Sequence, residues 1–370
     1  LSKIGYKKGI LLGLGIMGVG CLLFYPAASL RIFPLFLLGY FVLAGGMTVL
    51  QVAANPYVAV LGSEETASSR LNLSQAFNSL GTAIAPAFGA LFLLSDSIKS
   101  KANIDSLSDT VKEAYLISEA SAVQNPFLVL AVSLLLLAFI VSFIKLPNIL
   151  KKEEGFGYGA ALKHKVLKMG ALGIFLYVGA EVAIGSYLVN YFLDMNLAEV
   201  IKNTQWMRTI SESILQQDLE NVDSKAIVAA FVIFYWSGAM IGRFIGAYLT
   251  KIIAPAKVLA LFATMAISLL AISMLTNGLV AMFSILLVGL FNSIMFPTIF
   301  TLSLNGLGNY KPQASGILCT AIVGGAIIPP LYGYFTDQFD FKPALFLMVL
   351  CYFYIFYFAR KSDSYIKTNS

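Results

Sequence analysis

The stretches LQVAANP (residues 50–56) and RLNLSQAFNSLG (residues 70–81) decide how this chain is read, because they set carboxamides inside segments of membrane-spanning length. Gln51 and Asn55 fall in the first, Gln75 and Asn78 in the second. A side-chain amide offers two donors and an acceptor, and moving it unpaired into an apolar medium costs about 2–7 kcal/mol. Such groups face a protein interior or a watery cavity. The expectation is a helical membrane protein whose function lies where these amides converge.

The composition around them agrees. Hydrophobic residues make up 58% of the 370 and charged residues 12%, with a mean hydropathy of +0.82. A soluble domain averages about 45–50% apolar and about 25% charged. Apolar segments occur near residues 10–28, 33–61, 71–94, 127–144, 167–193, 226–249, 258–275, 279–304, 315–335 and 344–358. Each is long enough to cross hydrocarbon as a helix or nearly so. Cys21, Cys319 and Cys351 lie inside such segments at unrelated spacings, which reads as three small core residues and not as a disulfide framework or zinc site. The formal charge of +6 resides in residues that flank spans, so topology accounts for it and a nucleic-acid partner does not.

Alternating the spans puts 17 of the 25 lysines and arginines on the side of the chain start and the 145–168 connection. That side is cytoplasmic by the positive-inside rule, with the linker and C-terminus there too. The acidic connections 95–124 and 196–224 are then external, and they read as ordinary solvated loops. Glu199, Glu212, Asp218, Glu220 and Asp223 are spaced too irregularly for a calcium loop.

An internal repeat organises the spans. LSKIGYKKGILLGLGIMGVG from Leu1 resembles LTKIIAPAKVLALFATMAIS from Leu249, and GTAIAPAFGALF from Gly81 resembles GAIIPPLYGYF from Gly325. Pro56 then falls opposite Pro297. Residues 1–146 are expected to form an N-terminal helical bundle, 147–165 a cytoplasmic linker and 166–370 a six-helix C-terminal bundle. The second half has two helices before Leu249 and the first has none before Leu1, so the reading is a fragment carrying ten of twelve transmembrane helices.

Two pseudo-symmetric six-helix halves joined by a cytoplasmic linker are the all-α architecture of the major facilitator fold. Gly242, Arg243 and Gly246, in GRFIGAYL, are read as gating residues leading into the short cytoplasmic loop, the glycines for close helix approach and the arginine for helix carbonyl ends. A snorkelling anchor is the alternative for Arg243.

GGMTVLQVAANPYVAVLG, RLNLSQAFNSLGTAIAP, YVGAEVAIGSYLVNY, GRFIGAYL and SIMFPTIFTLSLNGLG resemble, in collinear order, the fucose:proton symporter family of the major facilitator superfamily, and within it most nearly the glucose/galactose transporters. The resemblance implies alternating-access uptake of a monosaccharide driven by protons or sodium, across the bacterial cytoplasmic (inner) membrane. It also singles out Gln75 and Asn78.

The residue chemistry stands beside that resemblance. Gln51 and Asn55 are four apart, Gln75 and Asn78 three apart, so each pair shares a helix face. Carboxamides satisfy sugar hydroxyls as both donor and acceptor. Tyr187 and Asn190 repeat the three-residue spacing, after Phe175 and Tyr177. Interhelical hydrogen bonding is the competing role for all the amides, and for Asn55 a bond to a carbonyl freed by Pro56 competes equally. Glu181 is the one acid well inside a span, a candidate for ion coupling or sugar binding, with a local structural ion pair as the alternative.

The family's proton-coupled fucose members carry an acid where this chain has Gln51, and a second in the first helix, absent here; they carry a tyrosine where it has Phe296. Glutamine cannot titrate, which directs the coupling question to Glu181. No cofactor is expected beyond the coupling ion, H+ or Na+. The expected partners are a monosaccharide and the bilayer, with a monomer sufficient. Without HExxH, GxSxG or a histidine pair, an enzyme is disfavoured. A drug or metabolite exporter on the same fold is the alternative function.

Overall fold

The computed structural model describes residues 4–93, 108–147 and 157–369. Among the described residues there is no strand, and nine helices are long and apolar enough to cross a membrane. The long helices are α1 (Gly5–Leu30), α2 (Phe33–Val60), α3 (Ala67–Leu93), then α4 (Asp109–Ser121) and α5 (Gln124–Phe143). After the linker come α6 (Lys165–Asp194), the short α7 (Leu197–Asn203) and α8 (Gln205–Leu215), then α9 (Ser224–Ile252), α10 (Pro255–Leu275) and α11 (Gly278–Asn292). The chain ends through α12 (Met295–Leu304), α13 (Lys311–Thr320), α14 (Gly324–Phe339) and α15 (Phe346–Asn369). All ten apolar segments fall on these helices. Leu94, part of the 95–124 connection and residues 148–156 of the 147–165 linker lie outside the described residues.

The chain divides into two compact units, Leu1–Tyr57 with Ile84–Gly155, and Val58–Ala83 with Phe156–Ser370. The repeat and the compact units therefore part company at residues 58–83, which belong to the first repeat in sequence but to the second unit in space.

In the first unit α1 and α2 run antiparallel with backbones in contact. A Cβ on Gly13 would lie 2.7 Å from the Leu50 amide nitrogen, one on Gly46 2.6 Å from that of Met17, and one on Gly20 2.6 Å from that of Leu43. Each step of three or four residues along α1 is matched by an equal step back along α2, so glycine spacing sets the register. Phe24 closes one end, edge-on to Phe36 and Tyr40 and stacked on Phe127 at 3.9 Å between centroids. At the other end Lys7 donates to the carbonyls of Ser142 and Ile144, both at 2.8 Å, at the C-terminal end of α5. On α5 only Ala131 is buried, and its exposed face of Leu, Val, Ile and Phe suits hydrocarbon.

In the second unit α6 packs against α9, α12, α14 and α15. The start of α9 is fixed by Asp223, whose side chain accepts from the Lys225 amide at 2.7 Å. Residues 58–83 are tied down polar group by polar group. Arg70 donates to the carbonyls of Val58 (3.2 Å), Ala59 (2.6 Å) and Ser63 (3.0 Å), capping the C-terminal end of α2. Ser68 bonds Thr301 at 2.5 Å, Ser69 donates to the Ala247 carbonyl at 2.6 Å, and Asn72 donates to Thr298 at 3.3 Å.

The acidic connections are not the plain loops expected. Residues 109–121 form α4, while residues 197–215 form α7 and α8. Arg208 on α8 gathers Glu212 (2.7 Å), Asp218 (3.1 Å) and Glu220 (3.6 Å), which raises its already high pKa, chiefly through the Glu212 hydrogen bond. The acids that look irregular in sequence converge because one arginine sits among them.

Candidate functional site

The site begins with a proline. Pro297 on α12 has no N–H to offer the carbonyl four residues earlier, that of Ser293, in the break between α11 and α12. Arg243 on α9 takes the missing donor's place, its Nε lying 3.1 Å from the Ser293 carbonyl oxygen. It reaches that carbonyl because α9 meets the break closely. A Cβ on Gly242 would collide with the Leu290 carbonyl, and one on Gly246 with the Ile294 side chain. Gly242, Arg243 and Gly246 are thus helix residues, two turns or so ahead of the loop after Ile252, with the glycines packed against α11 and the break.

The rest of the guanidinium turns to α3 and α6. One terminal nitrogen donates to the Ser79 hydroxyl and the Gln75 carbonyl, the latter at 3.4 Å. The other lies 3.9 Å from the Glu181 carboxylate, with the two side chains only 16% and 14% exposed. This distance makes an ion pair without a hydrogen bond. Of the readings open for Arg243 and Glu181, snorkelling does not fit so buried a guanidinium. The local pairing expected as the alternative for Glu181 is present, and it leads directly to the amide-bearing helix.

Neutral polar groups surround this pair. Asn292, fully buried, donates to the Tyr235 hydroxyl at 2.6 Å, and Tyr235 donates to the Glu181 carbonyl at 3.4 Å. The Tyr177 hydroxyl lies beside Glu181 and the Tyr352 hydroxyl beside the Asn292 side chain, all of them buried. The cluster is therefore a buried polar layer around the Arg243–Glu181 pair. Asn292, Tyr235 and Tyr352 were not singled out from the sequence. Asn292 precedes the Ser293–Pro297 break by one residue, a signal visible in sequence, whereas nothing in their local sequence marks the tyrosines apart from the other 16 of the chain's 18.

The remaining expected site residues scatter. Gln75 is half-buried and Asn78 exposed on α3, in the second unit. Gln51 is half-buried and Asn55 buried on α2, in the first unit. Tyr187 packs edge-on to Tyr332 at 5.2 Å and against Gly333, an aromatic contact between α6 and α14. Asn190 is exposed three residues on. The structure thus joins Gln75, Arg243 and Glu181 by direct contacts, and it leaves Tyr187 and Asn190 outside that chain of contacts. Among the described residues no group of three or more histidine, cysteine, aspartate or glutamate side chains is positioned for a metal ion.

A family model described as Major Facilitator Superfamily matches residues 1–330. The chain belongs to the Major Facilitator Superfamily. Within this superfamily it is 44% identical over 361 residues to the glucose/galactose transporter of Brucella abortus biovar 1 (strain 9-941), a match covering 97% of this chain and 79% of the relative. It is 34% identical over 376 residues to the L-fucose-proton symporter of Escherichia coli (strain K12), covering 97% and 79%. Among solved structures it is similar to the major facilitator transporter FucP in the outward conformation, with a TM-score of 0.86 at 32% identity, covering 98% of this chain and 84% of that one. These matches bear out the fucose:proton symporter resemblance, the major facilitator fold and a transporter in place of an enzyme.

Proposed function

We propose that this chain is a secondary active transporter that imports a glucose- or galactose-like hexose by alternating access, coupled to a proton or sodium gradient. The observation that carries the reading is the continuous contact from the Gln75–Ser79 turn through Arg243 to Glu181, in a chain 44% identical to a glucose/galactose transporter. A sugar hydroxyl asks for donors and acceptors together, which Gln75 and Asn78 supply, and Gln51 and Asn55 offer the same chemistry in the first unit. An ion-driven carrier also needs a group that exchanges its charge state or its counterion. Glu181 is that group, since Gln51 cannot titrate. An exporter of apolar compounds has less need of paired amides and is the weaker reading.

Residence in a bacterial cytoplasmic membrane, with the linker and C-terminus inside and a monomer as the working unit, completes the proposal. The test is uptake of labelled glucose, galactose and fucose into proteoliposomes under separate proton and sodium gradients. Accumulation of a hexose under one gradient, abolished by its dissipation, is the expected result. Absence of sugar-dependent flux under both gradients would overturn the assignment.

A further inference from the structure

Four groups on three structural elements meet the Arg243 guanidinium: Glu181 of α6, Ser79 and the Gln75 carbonyl of α3, and the Ser293 carbonyl at the α11–α12 break. An arginine does not shed its proton in a protein, so this buried charge is permanent. Its ion-pair partner is Glu181, and a carboxylate can be neutralised. Among the described residues, the other groups near Glu181 are uncharged hydroxyls: Tyr177 on its own helix, Tyr235 on α9 and Tyr352 on α15. The balance of charge around Arg243 therefore follows one group. At 3.9 Å the pair is longer than a charge-assisted hydrogen bond of about 2.7–2.9 Å, so a movement of about 1 Å toward Glu181 would complete that bond at the expense of α3.

We propose that Arg243 is a positioning residue through which the charge on Glu181 sets how the Gln75–Asn78 turn is presented to the sugar. With Glu181 ionised, the guanidinium is drawn toward α6 and its hold on Ser79 and the Gln75 carbonyl slackens. When the carboxylate takes up a proton from water on one side of the membrane, that attraction ends and the guanidinium settles on α3 and the Ser293 carbonyl, fixing the turn that carries both amides. Loss of the proton to the other side reverses the change. Sugar affinity and proton binding thus meet at one side chain that need touch neither ligand. The inference rests on the hexose-transport reading above, and its test separates the two.

The test has a sugar-dependent and a sugar-independent arm. In proteoliposomes, the apparent KM of the wild type for the transported hexose is expected to change by about tenfold between pH 5.5 and 8.5, a coupling of ordinary allosteric size. Glu181→Gln should flatten that profile. Ser79→Ala should reduce the pH shift in KM with less effect on kcat, and Arg243→Lys, which keeps the charge without the fork, should fall between Ser79→Ala and Arg243→Ala. In the second arm Asn78→Cys is labelled with maleimide across the same pH range, once in the otherwise wild-type chain and once combined with Glu181→Gln; the native cysteines are buried. The ratio of the two labelling rates should depend on pH, which removes the thiol's own titration. Superimposable KM profiles for wild type and Glu181→Gln, together with a pH-independent labelling ratio, would overturn the inference. A pH-dependent ratio in a protein that moves no sugar would keep the inference's coupling and sink the transport reading instead.

Discussion

The α1–α2 seam of the first unit and the seam between α9 and the α11–α12 break in the second are built from the same material with different results. Gly13, Gly20 and Gly46 bring two backbones together, against Leu50, Leu43 and Met17. Gly242 and Gly246 do the same, but an arginine stands between them and uses the proximity to reach a carbonyl that Pro297 has stripped of its donor. Close approach alone makes a packed helix pair. Close approach plus a broken helix and a permanent charge makes a junction, because the charge must be answered and the available answers lie on other helices.

The largest effect should come from closing that approach. In Gly242→Val the new Cβ meets the Leu290 carbonyl, which is backbone and cannot swing away. Overpacking of this kind costs about 1–3 kcal/mol and more where backbone must move, so the yield of folded protein on size-exclusion chromatography should fall severely. Gly46→Val, in the first-unit seam, should be comparably damaging. A mild effect at either seam would show that the helices can part there.

Breaking the pair comes next. Glu181→Ala leaves Arg243 without its counter-charge, and removing one partner of a buried pair costs about 3–5 kcal/mol. Uptake should be lost along with thermal stability, and Glu181→Ala/Arg243→Ala should recover part of the stability in a double-mutant cycle, since no lone charge then remains buried. Additive losses would mean the two side chains are not coupled. Gln75→Ala and Asn78→Ala should each raise the KM for hexose by about tenfold, the loss of roughly one polar contact, and leave the folded yield unchanged. The smallest effect is expected at Arg208→Ala on the acidic connection, since ion pairs open to solvent contribute little to stability. Its thermal shift should shrink further in high salt.

Much of this was legible in the sequence, for reasons that differ by residue. The spans could be read because helices in hydrocarbon must satisfy their own backbone, which forces long apolar runs. Gln75 and Asn78 could be read because an amide in such a run needs a reason to be there. Glu181 stood out as the single acid within a span, and Arg243 through its place between two glycines. Tyr235, Tyr352 and Asn292 stayed hidden, since tyrosine and asparagine acquire a role only from what packs beside them. Tyr187 and Asn190 illustrate the converse: their three-residue spacing is genuine, yet Tyr187 is used against Tyr332 and Gly333, and Asn190 is exposed.

What the sequence determined by itself was the solvent, the helical class and the family, because each is written in composition and order along one chain. What only the tertiary structure decided was partnership: that residues 58–83 pack with the second unit, that the Ser293 carbonyl is answered by Arg243, and that the same guanidinium faces both Glu181 and the amide-bearing turn. These are distances between positions far apart in the chain. They are set by how closely glycines let helices approach and by where a proline leaves a carbonyl unpaired, and no local pattern encodes the partner on the other side.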